Sequence, residues 1–250
     1  MAIPRRELVD DSTSDLYHVH SRCVRRAWLL DGEDGRRRDW IVERLLLLTA
    51  CYGMDVVSLA VMSNHFHLIV RNLPEVVAGW SDVEVAYRWI LAHPDRKRRR
   101  RLGIDSDALP QPMEVALLLA DPTEVRRRRG QLSSLSSFMK DLKQQVAARA
   151  NAEDDVDGHF FAARYRSHRL LDERAALLCA SYVDMNPVRA GMAGSALLAT
   201  HTSVQEHARR LRRDRRGSRR VELDFERVVA DPEAGRDIDP SAPVVAGAPA

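Results

Sequence analysis

Two histidines one residue apart, His65 and His67, stand inside the apolar run 62–70 (MSNHFHLIV) and carry the clearest chemical signal in the chain. A β-strand sends successive side chains to opposite faces, so His65, His67 and Ile69 share one face while Phe66, Leu68 and Val70 share the other. Paired imidazoles on an open sheet face offer two nitrogen donors to a divalent metal. The same pair also serves as an ordinary hydrogen-bonded surface couple, because histidine is common in both roles. A second pair, His18 and His20, lies in the segment 16–30 (LYHVHSRCVRRAWLL). That segment reads as a strand with Tyr17, Val19, Ser21 and Cys23 on one face and the histidines on the other. Cys23, Cys51 and Cys179 have no pair spacing, which argues against a disulfide framework and against a cysteine-ligated zinc site.

The elements that must position these histidines follow in order. Residues 31–35 (DGEDG) form a turn, and Asp39 is a plausible N-cap for a helix carrying Ile41, Val42, Leu45, Leu46 and Leu48 and ending near Gly53. Residues 56–62 alternate again, and Ser63-Asn64 is a tight connection into the His65 strand, as in a β-hairpin. Strand, helix and hairpin are three-quarters of a split β-α-β arrangement. With one more helix and strand, the first strand lies beside the third, and His18 and His20 neighbour His65 and His67. Residues 75–130 read as an inserted helical lobe, with a helix opened by a Ser81–Glu84 capping box, a short helix over 114–120 and a third starting at Asp121-Pro122. The clearest helix covers 132–151, where Leu135, Phe138, Met139, Leu142, Val146 and Ala150 form a stripe at steps of three and four. A last helix begins near Asp172 and is expected to break at Asn186-Pro187.

Of the residues, 45% are apolar and 30% charged, with a net charge of +3. That balance fits one sizeable globular domain with tails. The positive charge is nearly all arginine and is clustered over 96–101, 126–129 and 209–220. Such runs are candidate phosphate contacts, or equally solvated faces. The first 15 residues are polar and are expected to be flexible. They lack the apolar core of a secretory signal, and no run approaches the ~18 apolar residues of a membrane span, so the chain reads as soluble and cytoplasmic. Residues 201–250 read as a basic and then disordered tail.

Five segments together resemble one family. They are YHVHSR at 17–22, VMSNHFHLIV at 61–70, FMKDLKQ at 138–144, GHFFAARYRS at 158–167 and YVDMNPVRAGM at 182–192. In this order they are similar to the HUH-type single-tyrosine transposases of bacterial insertion sequences and their REP-associated relatives, over about residues 16–195, which implies a catalytic and DNA-binding domain at 16–200. The resemblance implies an α+β fold with a ferredoxin-like or RRM-like antiparallel sheet, helices on one face, and the helical lobe inserted. It implies a metal-assisted enzyme of DNA transposition that cleaves and joins single-stranded or hairpin DNA, often as a homodimer. In that scheme His65 and His67 hold Mg²⁺ or Mn²⁺, which offsets charge on the scissile phosphate, and a tyrosine forms a covalent phosphotyrosine. Hard cations also want an oxygen ligand, for which Asn151 and Gln144 are candidates. Arg164, Arg166, Arg189, Lys140 and Lys143 are the candidate DNA contacts.

The sequence departs from the family at the nucleophile. The expected tyrosine position is Val146, with Arg149 and Ala150 at neighbouring aromatic positions, and no tyrosine occurs between Tyr87 and Tyr165. Tyr165 is the remaining candidate, with packing as its alternative role; Tyr17 and Tyr182 belong to core elements, and metal-activated water is a further option. Beside the transposase stand a catalytically degenerate DNA-binding descendant and an RRM-like RNA-binding module. The latter is weakened by having only Tyr17 and Phe66 as sheet aromatics. A zinc hydrolase is remote, since the His65–His67 pair lacks nearby acidic or cysteine ligands.

Overall fold

Alternating side chains over three segments build a sheet, and a fourth strand completes it. The computed structural model describes residues 9–32 and 34–205. Strands β1 (Leu16–Arg22), β2 (Met54–Val61), β3 (His65–Asn72) and β4 (Arg166–Leu170) pair antiparallel in the order β2-β3-β1-β4. The expected tail beyond 205 and the first eight residues lie outside the described residues. From Val9 on, the segment expected to be flexible is held to the fold: Val9 is buried, and the Asn72 side-chain amide donates to the carbonyls of Asp10 (3.0 Å) and Thr13 (2.6 Å). The strand expected to run to Leu30 ends at Arg22. A 3₁₀ turn at Val24–Arg26, with Arg25 at φ 54°, turns the chain aside.

Register decides what each face carries. Across β1 and β3, Tyr17 pairs with Val70, Val19 with Leu68 and Ser21 with Phe66, while His18 pairs with Ile69 and His20 with His67. The first set points into a layer led by α1 (Arg36–Cys51) and α7 (Leu135–Glu153), which bury Trp40, Ile41, Leu45 and Leu48, and Phe138, Leu142 and Val146, against it. Asp39 does not cap α1. The helix begins a turn earlier, after Gly35 in the left-handed region (φ 79°), and Asp39 sits near its positive end. Helix α7 starts at the Ser134 cap, three residues later than the apolar stripe suggests, because Leu132 closes the preceding helix.

Between β3 and α7 run α2 (Pro74–Gly79), α3 (Asp82–Ala92), α4 (Arg96–Leu102), α5 (Pro112–Leu119) and α6 (Pro122–Leu132). The Ser81–Glu84 capping box is formed, and Asp121 caps α6. Gly53 joins α1 to β2 where backbone meets backbone: its N–H donates to Leu132 O (3.0 Å) and its carbonyl accepts from Leu73 N–H (2.8 Å). A Cβ there would lie 2.2 Å from Val77 Cγ2 and 2.9 Å from Leu73 O. Gly53→Ala should therefore destabilise the fold by about 1–3 kcal/mol as neighbours shift. Urea unfolding checks this; an unchanged midpoint would show that the junction yields without cost.

One helix departs from the one-sided plan. Helix α8 (Glu173–Arg189), capped by Asp172, crosses the histidine-bearing face, burying Val183 against Ala60 and Ile69 with Cys179 and Ala180 alongside. Nor does it break at Asn186-Pro187. Pro187 is buried inside it, Asn186 Nδ2 donates to Tyr182 O (2.8 Å), and the helix continues to Arg189. Pro187 has no N–H to give the Val183 carbonyl, and the helix nevertheless runs two residues past it.

Candidate functional site: a histidine-lined sheet face

Four of the five family-like segments meet on one face. The first His-x-His pair comes from β1 and the second from β3. Arg166 and His168 come from β4, where they pair with His20 and His18. Above them passes α8, which carries the fifth segment. Ring centroids are 5.2 Å apart for His18 and His67, 5.5 Å for His20 and His67, 5.8 Å for His18 and His20, and 5.0 Å for His65 and His67. His168 stands 6.4 Å from both His18 and His20. His18 Nε2 lies 2.9 Å from His67 Nδ1, so one of the two rings donates to the other. His65 Nδ1 lies 2.6 Å from Asn64 Oδ1.

Burial sets the charge of this cluster. Loss of water, reinforced by neighbouring histidines and by Arg22 for His65, pushes His18 and His65 down to about 4. His67, buried beneath α8, falls to about 3 for the same first reason. Desolvation, then Arg166, also lowers His20. At neutral pH these imidazoles are therefore uncharged, with lone pairs available to a proton or a metal.

As a metal holder the face fits in part. It offers neutral nitrogen donors, yet among the described residues no three His, Cys, Asp or Glu side chains are arranged to hold an ion. The oxygen ligands considered above do not join them. Asn151 Nδ2 is engaged with Gly158 O (2.9 Å) and Gln144 is exposed on α7, whose buried stripe packs under the opposite face. An all-nitrogen set suits Mn²⁺ or a later transition ion better than Mg²⁺.

The nucleophile positions considered in the sequence, Val146 and Tyr165, are not on the histidine face. Val146 is 2% exposed in the core with Phe66 and Leu68, on the side of the sheet away from His67. Tyr165 shares that core, its hydroxyl 3.1 Å from Ser136 Oγ. Tyr182, set aside in the sequence as part of a core helix, is the tyrosine on the histidine face. Its ring meets His67 edge-on at 5.6 Å and His18 at 6.3 Å. The missed signal was in the helix itself, since Tyr182 lies one residue from Val183, which faces the sheet.

Among the basic candidates, Arg164, Arg166, Arg189 and Lys140 are exposed. Lys143 is committed to structure, its Nζ donating to Ala163 O (2.7 Å) over the Phe161 ring. The Arg189 guanidinium lies 5.6 Å from the Tyr182 ring. Much of the lobe's arginine is likewise engaged within the fold. Arg99 is buried on Glu114, Arg127 and Arg128 pair with Glu124, and Arg129 reaches Val77 O, Trp80 O and Asp82.

No protein-family profile and no curated relative matches the chain. A solved structure of a REP-associated tyrosine transposase bound to a REP hairpin matches with a TM-score of 0.49 and 12% identity, over 84% of this chain and 87% of that one. Among the described residues, no helix is long and apolar enough to cross a membrane.

Proposed function

We propose that this chain binds single-stranded or hairpin DNA across the histidine face and catalyses transposase-like strand cleavage and joining there. The observation that carries this reading is the convergence of four family-like segments, separated by up to 160 residues of chain, on one sheet face. Uncharged imidazoles can accept a nucleophile's proton, while exposed Arg22 and Arg166 at the edge of the cluster suit the phosphates of a strand laid across it. His65 and His67 would hold a divalent ion, Mn²⁺ ahead of Mg²⁺, which when bound would offset charge on the phosphate oxygens. A second reading, a DNA-binding descendant without cleavage, is favoured by one observation: a buried valine occupies the expected tyrosine position.

Binding is tested by fluorescence anisotropy with labelled DNA hairpins carrying single-stranded flanks, against the matching duplex. The hairpin should bind more tightly. Arg166→Ala should weaken binding several-fold and reduce the salt dependence by about 0.7 in log–log slope, the share of one single-strand phosphate. Equal affinity for duplex, or no change in slope, would remove the face from the reading. Strand cleavage on adding Mn²⁺, lost in His65→Ala, separates the catalytic from the binding-only protein.

A further inference from the structure

We propose that Tyr182 is the attacking residue of the strand cleavage inferred above, in place of the tyrosine missing at Val146; this inference rests on that reading. The chain holds five tyrosines. Four are enclosed. Tyr17 is fully buried, its hydroxyl between Asp10 N–H (3.1 Å) and Asp15 Oδ2 (3.4 Å). Tyr52 is buried and donates to Asp141. Tyr87 lies in the small core formed by α3 and α5, and Tyr165 in the main core against Ser136. Tyr182 is 41% exposed. It is also the tyrosine in ring contact with the histidine cluster, held there because Val183 beside it anchors α8 to Ala60 and Ile69.

The arrangement supplies what a phenol needs to attack a phosphodiester. Its ring lies against the histidine cluster, 5.6 Å from the His67 ring and 6.3 Å from that of His18, while the side chain stays open to an incoming strand. Arg189, about two turns along the same helix, lies beside the ring with its guanidinium available to a phosphate. In the step, Tyr182 Oη bonds to phosphorus and the bond from phosphorus to the neighbouring nucleotide's O3′ breaks. The phenolic proton leaves to the water around the exposed Tyr182 side chain, and water returns a proton to the departing O3′. One phosphoester replaces another, so the step runs without an oxidant or an energy source, and a 3′-hydroxyl can reverse it onto a second strand.

The test uses the full chain with a pool of end-labelled single-stranded DNA hairpins of randomised flanks, in Mn²⁺. The expected result is a covalent protein–DNA band on a denaturing gel, mapped by peptide mass spectrometry to Tyr182. The band should be lost at least a hundred-fold in Tyr182→Phe and kept in Tyr165→Phe. Thermal melting checks that Tyr182→Phe is folded; if it is not, the mapped residue in the unsubstituted protein decides. An adduct on another residue overturns the proposal. So does cleavage without an adduct, which would leave the cleavage reading intact with water as nucleophile. Binding without cleavage overturns both the proposal and the catalytic half of that reading, and absence of binding overturns the whole of it.

Discussion

Glu114→Ala should be the most damaging single substitution in the helical lobe, costing about 3–5 kcal/mol, because it strands a buried guanidinium. Arg99 lies in an otherwise positive run but is only 2% exposed. Its Nε and Nη2 donate to the two Glu114 carboxylate oxygens at 2.8 and 2.9 Å, and its Nη1 donates to the carbonyls of Ser106 (3.0 Å) and Ala108 (2.7 Å). Glu114 also accepts from Gln111 N–H (2.9 Å) and so closes the start of α5. Removing the carboxylate leaves a charge with no water and no counter-ion. Replacing both partners, Arg99→Met with Glu114→Met, removes that charge and should recover much of the loss. Urea unfolding of the single and double variants measures the difference. A double variant as unstable as the single one would mean that the carbonyl bonds to Arg99, and not its charge, hold the lobe.

That ion pair also shows where the sequence was legible and where it was not. Period-two alternation marked β1 and β3 and the histidines that share a face on each, the split β-α-β order put β1 beside β3, and the α+β class came with the resemblance. The charge run over 96–101 carried no such period. Whether Arg99 turns inward depends on Glu114, fifteen residues away, and on the loop between them. The same limit applied to α8. Its sheet-facing residues Cys179, Ala180 and Val183 are small and weakly periodic, so the helix read as part of the general core. What places it over the histidines is the complementary small surface of Ala60, reached because β2 shifts register between Val56 and Ser58. Pairing of the two His-x-His segments could therefore be foreseen, whereas the arrival of Tyr182 above them could not.

Metal-free protein should lose stability steadily as the pH falls below about 6.5, the range in which its uncharged histidines differ most from those of the unfolded chain. The sign follows from proton counts. Burial holds His18 and His65 down to about 4 and His67 to about 3, so between those values and 6.5 the unfolded chain binds protons that the folded chain refuses. Stability is fully present above the unfolded value and is lost on acidification through the window, flattening only below the folded values. Each such histidine contributes a slope of up to about 1.4 kcal/mol per pH unit. His67, 6% exposed, dominates, while His18 and His65 are half-buried and count for a fraction because water screens them. A total loss of about 3–5 kcal/mol between pH 6.5 and 4 is a large part of the stability of an ordinary domain. Acid loss from Asp141, whose carboxyl is raised by burial but held low by His93 and Tyr52, falls below this window, near and under the usual carboxylate range. The two are therefore separable. Urea midpoints measured in chelator at half-unit steps of pH should slope through this window in the unsubstituted protein and flatten in His67→Asn, which cannot take the proton. A level profile from 6.5 to 4 in the unsubstituted chain would mean that these imidazoles are hydrated in the folded chain and that burial does not set their charge.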